Sequence, residues 1–257
     1  MKPQHQRRIC LARIRMTVEY DGSRYHGFQI QDNANTVQAE LELAIKRVSG
    51  ESISVLCAGR TDAGVHALGQ VIAFDSNSSV PGEKWQFALN SFLPPDIQVA
   101  ASAECAPDFH PRFQALSKVY HYLIYRQQRG RVFNRNYALY CTEPLDLAAM
   151  EEACRPLLGQ HNFKSFCASG SSVKTFERTV KVCRLLEKQS YLKLEIEADG
   201  FLYNMVRIIT GTLLEVGRKT YPPAAMQEII NARDRSQAGP TAPPQGLYLV
   251  EVKYPSP

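Results

Sequence analysis

The apolar side chains of the first half of the chain change periodicity in a fixed order, from strand to helix to two strands to helix to strand, and few folds accept that order. Alternation over 13–20 predicts the first strand, and Val37, Leu41, Ile45 and Val48 make one face of a helix over 36–48. Asn35 with Gln38 reads as its capping pair and Gly50 as its end. Apolar runs at 53–58 and 69–74 predict two buried strands. A short helix over 83–92, stopped by Pro94 and Pro95, and a strand over 97–103 complete the series. A βαββαβ order builds the split βαβ, or ferredoxin-like, unit, an antiparallel sheet with both helices on one face.

The second half repeats the scheme with insertions, although no sequence repeat accompanies it. Strands are predicted over 117–126, 179–187, 190–198 and 247–254, and helices over 146–158, 203–216 and 223–232. Residues 187–190 are polar enough to turn a hairpin, and the Pro- and Gly-rich segment 236–245 reads as a loop. Pro107 and Pro111 mark the joint between the halves. The expected organisation is a basic tail (1–12), an N-terminal half (13–108) and a C-terminal half (109–257).

Between the runs at 53–58 and 69–74 lies Gly59-Arg60-Thr61-Asp62-Ala63-Gly64-Val65-His66-Ala67, which suspends one carboxylate and one guanidinium in a glycine-flanked loop. Glycine there lets a phosphate or a base approach the backbone closely. An Asp in such a loop also serves as a turn residue bonding its own backbone, and spacing alone does not choose between the two.

The whole segment resembles the catalytic loop of the TruA-type tRNA pseudouridine synthases. Four further blocks follow in that family's order: Tyr20-Asp21-Gly22-Ser23-Arg24-Tyr25-His26-Gly27-Phe28-Gln29, Lys118-Val119-Tyr120, Asn204-Met205-Val206-Arg207 and Gln245-Gly246-Leu247-Tyr248-Leu249. The resemblance spans 14–254. It implies an α+β fold of two ferredoxin-like halves, joined edge to edge into an extended antiparallel sheet with helices on one face and a central active-site cleft. It also implies isomerisation of uridine to pseudouridine at positions 38, 39 and 40 of the tRNA anticodon stem-loop, by a homodimer that uses no cofactor and no metal.

Roles follow from the resemblance residue by residue. Asp62 is the expected nucleophile or glycosidic-bond catalyst, by attack on C1′ or through a glycal. Arg207, a lone cation in an apolar helix, is its expected ion-pair partner. Arg60 either fills the space vacated by the everted nucleotide or holds its phosphate. Tyr120 stacks on the base, since a phenol with a pKa of about 10 is a poor base at neutral pH. Leu247 packs on the other side of the uracil. Arg24, Gln29 and Gln31 match RNA-contacting positions, with Phe28 where many relatives have Trp. His66, although close to Asp62, reads as structural.

Charge and cysteine usage agree with an RNA partner in a reducing compartment, hence the cytoplasm. The formal charge is +5, and Lys2, Arg7, Arg8, Arg13 and Arg15 account for it. The remainder sums to zero but is unevenly spread. Residues 109–142 hold six basic side chains and no acid, interleaved with Phe113, Tyr120, Tyr122, Tyr125, Phe133 and Tyr137. Residues 155–184 hold six more against Glu177 alone. Basic surface with aromatic side chains suits nucleic acid. Seven scattered cysteines without a C-x-x-C pair oppose both a disulfide framework and a zinc site. No 18-residue apolar run predicts a membrane span. A catalytically silent RNA-binding protein is the alternative, disfavoured because Asp62, Tyr120 and Arg207 are all present.

Overall fold

A computed structural model describes residues 11–170 and 173–255. Most of the expected basic tail, residues 1–10 with Cys10, lies outside them. In chain order the elements are β1 (Ala12–Tyr20), α1 (Val37–Ser49), β2 (Leu56–Cys57), β3 (His66–Ser76), α2 (Trp85–Asn90) and β4 (Ile97–Glu104). There follow β5 (Ser117–Tyr125), α3 (Arg131–Asn134), β6 (Leu139–Tyr140), α4 (Leu147–Cys154), β7 (Gly159–Asn162) and β8 (Glu177–Lys188). Last come β9 (Tyr191–Ala198), α5 (Met205–Gly217), α6 (Ala225–Ala232) and β10 (Leu247–Lys253).

All strands join one sheet in the order β4-β1-β3-β10-β5-β9-β8-β7, with β2 on β3 and β6 on β5. The same strand order therefore occurs twice. In the first half β4, β1, β3 and β2 lie side by side, and in the second β10, β5, β9 and β8 do, each time fourth, first, third, second of a βαββαβ unit. The expectation of antiparallel pairing holds among the four strands of each unit, but not for the short β6, which runs parallel to β5, nor between the units. At the seam β10 runs parallel to β3, Tyr248 opposite His66 and Leu249 opposite Ala67. Parallel neighbours need a long connection, and here everything from β4 to α6 supplies it.

Both β10 and β2 use the same edge of β3. β10 takes its start, at residues 66 and 67, while β2 takes Ile72 and Ala73. The edge is thus divided, and the loop 58–65 crosses the division.

One face of the sheet is apolar. Ile14, Met16, Val18 and Tyr20 in β1, Tyr120, Tyr122 and Ile124 in β5, and Leu192, Leu194, Ile196 and Ala198 in β9 are all buried there. Helices cover it in two groups, α1 with α2 over the first unit and α4 with α5 and α6 over the second. The opposite face is ionic: Arg13 pairs with Asp75, Glu195 with Arg184 and Lys193, and Lys253 with Glu197. Such solvated pairs contribute about 0–1 kcal/mol each, so the apolar face carries the stability.

Several boundaries differ from the sequence expectation for local reasons. The cap of α1 is Thr36, whose hydroxyl accepts from the Ala39 N–H, and Gln38 instead bonds Glu42. Glu42 also takes the Val55 N–H, so the run 53–58 is tied to α1 and only two of its residues enter the sheet. β3 begins earlier than its apolar run because β10 pairs with residues 66 and 67. Pro156 follows α4 closely, and the helix ends in a tighter turn over Arg155–Leu157. Half of the aromatic side chains interleaved with the basic patch at 109–142 are core: Tyr120, Tyr122 and Tyr125 are buried, whereas Phe113 and Phe133 are exposed.

Candidate active site

The loop 58–65 is held at both ends and from the side. Ala58 N–H donates to the Val71 carbonyl (2.8 Å), and the Gln70 side-chain amide donates to the Gly59 carbonyl (2.6 Å). Val65 N–H closes a turn onto the Asp62 carbonyl (3.1 Å). The Thr61 hydroxyl is hydrogen-bonded to the buried Tyr20 hydroxyl at 2.7 Å. From the side comes the segment after β1: Phe28 N–H donates to the Thr61 carbonyl (3.1 Å), and Gly64 N–H to that of Tyr25 (3.2 Å). A Cβ at Gly22 would fall 2.0 Å from the Val65 carbonyl, and one at Gly27, whose φ is +96°, 2.6 Å from that of Thr61. The block Tyr20 to Gln29 is thus largely a clamp on the Asp62 loop.

A test follows from this clamp. Gly27→Ala is expected to cost about 1–3 kcal/mol through strain and the backbone clash. A lowered thermal midpoint together with lost activity is the expected result.

Inside the clamp, Asp62 points at Arg207, with Oδ2 3.5 Å from Nη1. Arg207 stands in the first turn of α5, where the preceding Asn204 adopts φ 60°. That turn lets the Asn204 Oδ1 accept from Arg207 Nη1 at 2.7 Å, while Arg207 Nε donates to the Ala242 carbonyl at 2.7 Å. The Ala242 N–H returns a bond to the Arg207 carbonyl (3.0 Å). Three partners therefore fix the guanidinium. Burial pushes the Asp62 carboxyl above its ordinary value, and the charge of Arg207 and its hydrogen bond oppose the rise. The side chains keep 29% and 15% of their exposure, so the pair is reachable but poorly hydrated.

Tyr120 borders the same carboxylate. Its ring is buried and meets Phe201 edge-on, with centroids 5.0 Å apart. Burial first, then the neighbouring Tyr20 and Asp62, push its phenol far above neutral pH, so the hydroxyl stays protonated. An ionisable carboxylate on a guanidinium, beside an aromatic ring and a glycine-bounded loop, can hold a planar base and act on the carbon next to it.

Comparison with known proteins gives this geometry its context. Residues 16–114 and 153–255 match the family model described as tRNA pseudouridine synthase. The chain belongs to that family. The tRNA pseudouridine synthase A of Syntrophomonas wolfei is 64% identical over 245 residues, spanning 95% of this chain and 98% of the relative. That of Moorella thermoacetica is 48% identical over 243 residues, spanning 94% and 99%. Both relatives align through the loop, β5 and α5 alike, since almost their whole length is covered.

Elsewhere in this tRNA pseudouridine synthase family member, the remaining expected residues fall at varied distances from Asp62. Arg60 is exposed at the start of the loop. Leu247 opens β10, buried and opposite Tyr122. Gln29 is exposed beside the clamp, and Gln31 bonds the His26 carbonyl. Arg24 turns away to Asp96, with Nη2 2.6 Å from its carboxylate. His66 Nδ1 accepts from the Gly22 N–H (3.1 Å) and Nε2 donates to the Asn136 carbonyl (2.9 Å), which fixes a neutral tautomer in a scaffold position. Burial lowers its pKa in keeping with that.

Sequence reasoning missed Asn204 and the strap 239–246, which hold Arg207 and the loop. Tyr122 donates to the Pro243 carbonyl (2.7 Å), and Pro244 lies against Gly64. An Asn directly before an apolar helix, a residue type that tolerates the left-handed region, was the available signal. A separate cavity of about 280 Å³ opens where β1 ends and β3 begins, lined by Glu19, Asp21, Asp96, Tyr137 and Tyr248 among others. Its carboxylates suit it poorly to RNA. Among the described residues no cluster of His, Cys, Asp or Glu could hold a metal ion, and no helix is long and apolar enough to cross a membrane.

Proposed function

We propose that this chain isomerises uridine to pseudouridine in tRNA, at positions 38, 39 and 40 of the anticodon stem-loop, with Asp62 as the catalytic carboxylate. The observation that carries this reading is the Asp62 and Arg207 pair, half-sheltered beside the Tyr120 ring at the division of the sheet edge. In the reaction the N1–C1′ bond breaks, the uracil turns, and a C5–C1′ bond forms while the C5 proton is lost and N1 gains one. No net oxidation occurs, and the chain needs no cofactor or metal for it.

The residues divide the work. Arg207 keeps Asp62 ionised in a site dry enough to hold a base. Tyr120 and Leu247 sandwich the uracil and keep it from escaping. Everting a uridine from a stem costs a few kcal/mol, and Arg60 offsets this by filling the vacated space or holding the flipped phosphate. Gln29 contacts RNA at the lip, and Arg24, held by Asp96 away from it, meets RNA through the exposed part of its guanidinium. The N-terminal half, 13–108, presents the carboxylate, and the C-terminal half, 109–257, presents Tyr120 and Arg207. A cytoplasmic homodimer fits the length of tRNA, whose elbow would rest on one protomer while its anticodon arm enters the other's cleft. Recognition by shape and phosphates accommodates several adjacent targets.

Mapping pseudouridine in an unmodified tRNA transcript after incubation with the protein tests the assignment. Conversion at 38, 39 or 40 is expected; conversion confined to other positions, or to another RNA, refutes the target. The pH dependence supplies a second expectation. Because the Asp62 pKa lies above its ordinary value, single-turnover activity falls on acidification through a midpoint above the usual carboxylate value of about 3.9. Activity that persists undiminished to that value contradicts the electrostatics.

A further inference from the structure

Two residues before Tyr120, on the same face of β5 and about 7 Å along the strand, stands Lys118. It is half-buried, and its ammonium reaches the Asp62 loop: a Cβ on Gly59 would sit 3.3 Å from Nζ. Arg60 follows immediately. Arg112, from the joint between the halves, and Arg178, at the start of β8, are close enough for their charges to act on it. Among the described residues Lys118, Arg60, Arg112 and Arg178 make no ion pair, whereas Arg13, Arg184, Arg207, Arg218 and Lys253 all do. Arg178 instead donates to the Thr175 and Glu177 carbonyls, with Asp199 the one carboxylate acting on it.

Withdrawing an ammonium from water beside two guanidiniums costs stability and gains none unless an anion arrives to balance it. Burial, followed by Arg112, lowers Lys118 to about 8. We propose that Lys118, backed by Arg112 and Arg178, is the subsite for an RNA phosphodiester flanking the reacting uridine, an inference that rests on the isomerase reading above. The one-repeat spacing from Tyr120 suits it, because a base stacked on that ring carries its backbone to the next side chain on the same face.

The test uses the full chain and anticodon stem-loop RNA in which the linkage on the 5′ or the 3′ side of the target uridine is a neutral methylphosphonate. One of the two substitutions is expected to weaken binding to the wild type about tenfold and to leave binding to Lys118→Met unchanged. On unmodified RNA, Lys118→Met is expected to bind about tenfold more weakly, with the slope of log K against log salt flatter by about 0.7–0.9. Lys118→Arg keeps the contact. Wild-type affinity declines as pH rises from about 7 to about 9, because the ammonium loses its proton near the value that burial sets, while Lys118→Arg is insensitive. The other groups facing the site do not produce this change: guanidiniums do not lose their proton in proteins, and burial holds the Cys57 thiol above its ordinary value.

A folded Lys118→Met with wild-type affinity and salt slope overturns the proposal, as do methylphosphonates that cost both proteins equally. The isomerase reading fails separately, if the wild type binds RNA through Lys118 and forms no pseudouridine.

Discussion

Replacing Asp62 by Asn is expected to abolish pseudouridine formation, a fall of roughly 10⁴–10⁶-fold. Affinity for tRNA should stay within about twofold, because phosphate contacts spread over the basic surface supply most of it. Stability should not fall either. Burial raises the Asp62 pKa, so the ionised carboxylate is disfavoured by folding at every pH above its unfolded value, and the amide removes that penalty. Arg207 keeps its bonds to Asn204 and Ala242 in the variant. A thermal midpoint equal to or above that of the wild type is therefore expected at pH 7, the signature of a residue kept for chemistry at the expense of stability. A large drop in the midpoint, or loss of binding with activity remaining, would place Asp62 in the scaffold.

The second large effect belongs to Arg207. Its replacement by Met keeps much of the apolar stem but strips the donors from the Asn204 Oδ1 and the Ala242 carbonyl and leaves Asp62 without a counter-charge. The lost hydrogen bonds cost about 1–3 kcal/mol, and the thermal midpoint should fall by about 2–4 °C for each kcal/mol. Turnover should fall about a hundred- to a thousandfold even at temperatures where the variant is folded. Calorimetry and single-turnover assays on the same preparation separate the two effects. The unpaired carboxyl also titrates higher, so residual activity should move its acid limb further toward neutral pH. Full activity in a folded Arg207→Met would show that Asp62 needs no cation.

What the sequence revealed depended on the range of the interaction. The βαββαβ order was legible twice over, because its long strands and helices show their own periods, whereas the short α3, β6 and β7 inserted in the second half went unforeseen. Asp62, Arg60 and Arg207 stood out as charged side chains in glycine-rich or apolar settings, Tyr120 entered only with the family resemblance, and a pairing of Asp62 with Arg207 was anticipated. The seam was not legible. Pairing of β10 with His66 and Ala67 joins segments far apart in the chain, and no local pattern encodes it. Nor was the division of the β3 edge, since the run 53–58 is apolar but for Ser54, yet only Leu56 and Cys57 enter the sheet and Glu42 holds the residues before them. Gly22 and Gly27 entered only as part of a matching block; their carbonyl neighbours make them clamp residues. The aromatic side chains of the basic patch were misjudged as a set, because β5 turns Tyr120 and Tyr122 onto the apolar face of the sheet, while Phe113 before that strand and Phe133 in α3 stay outside.

Release of tritium from tRNA labelled at uracil C5 reports the one event the site is built to bring about. With enzyme in excess, the wild type should release the label from the anticodon stem-loop in a single exponential phase, and Asp62→Asn, bound to the same tRNA, should release none. Bound wild type that releases no tritium, or release at the same rate from the wild type and from the Asp62→Asn variant, would contradict the account.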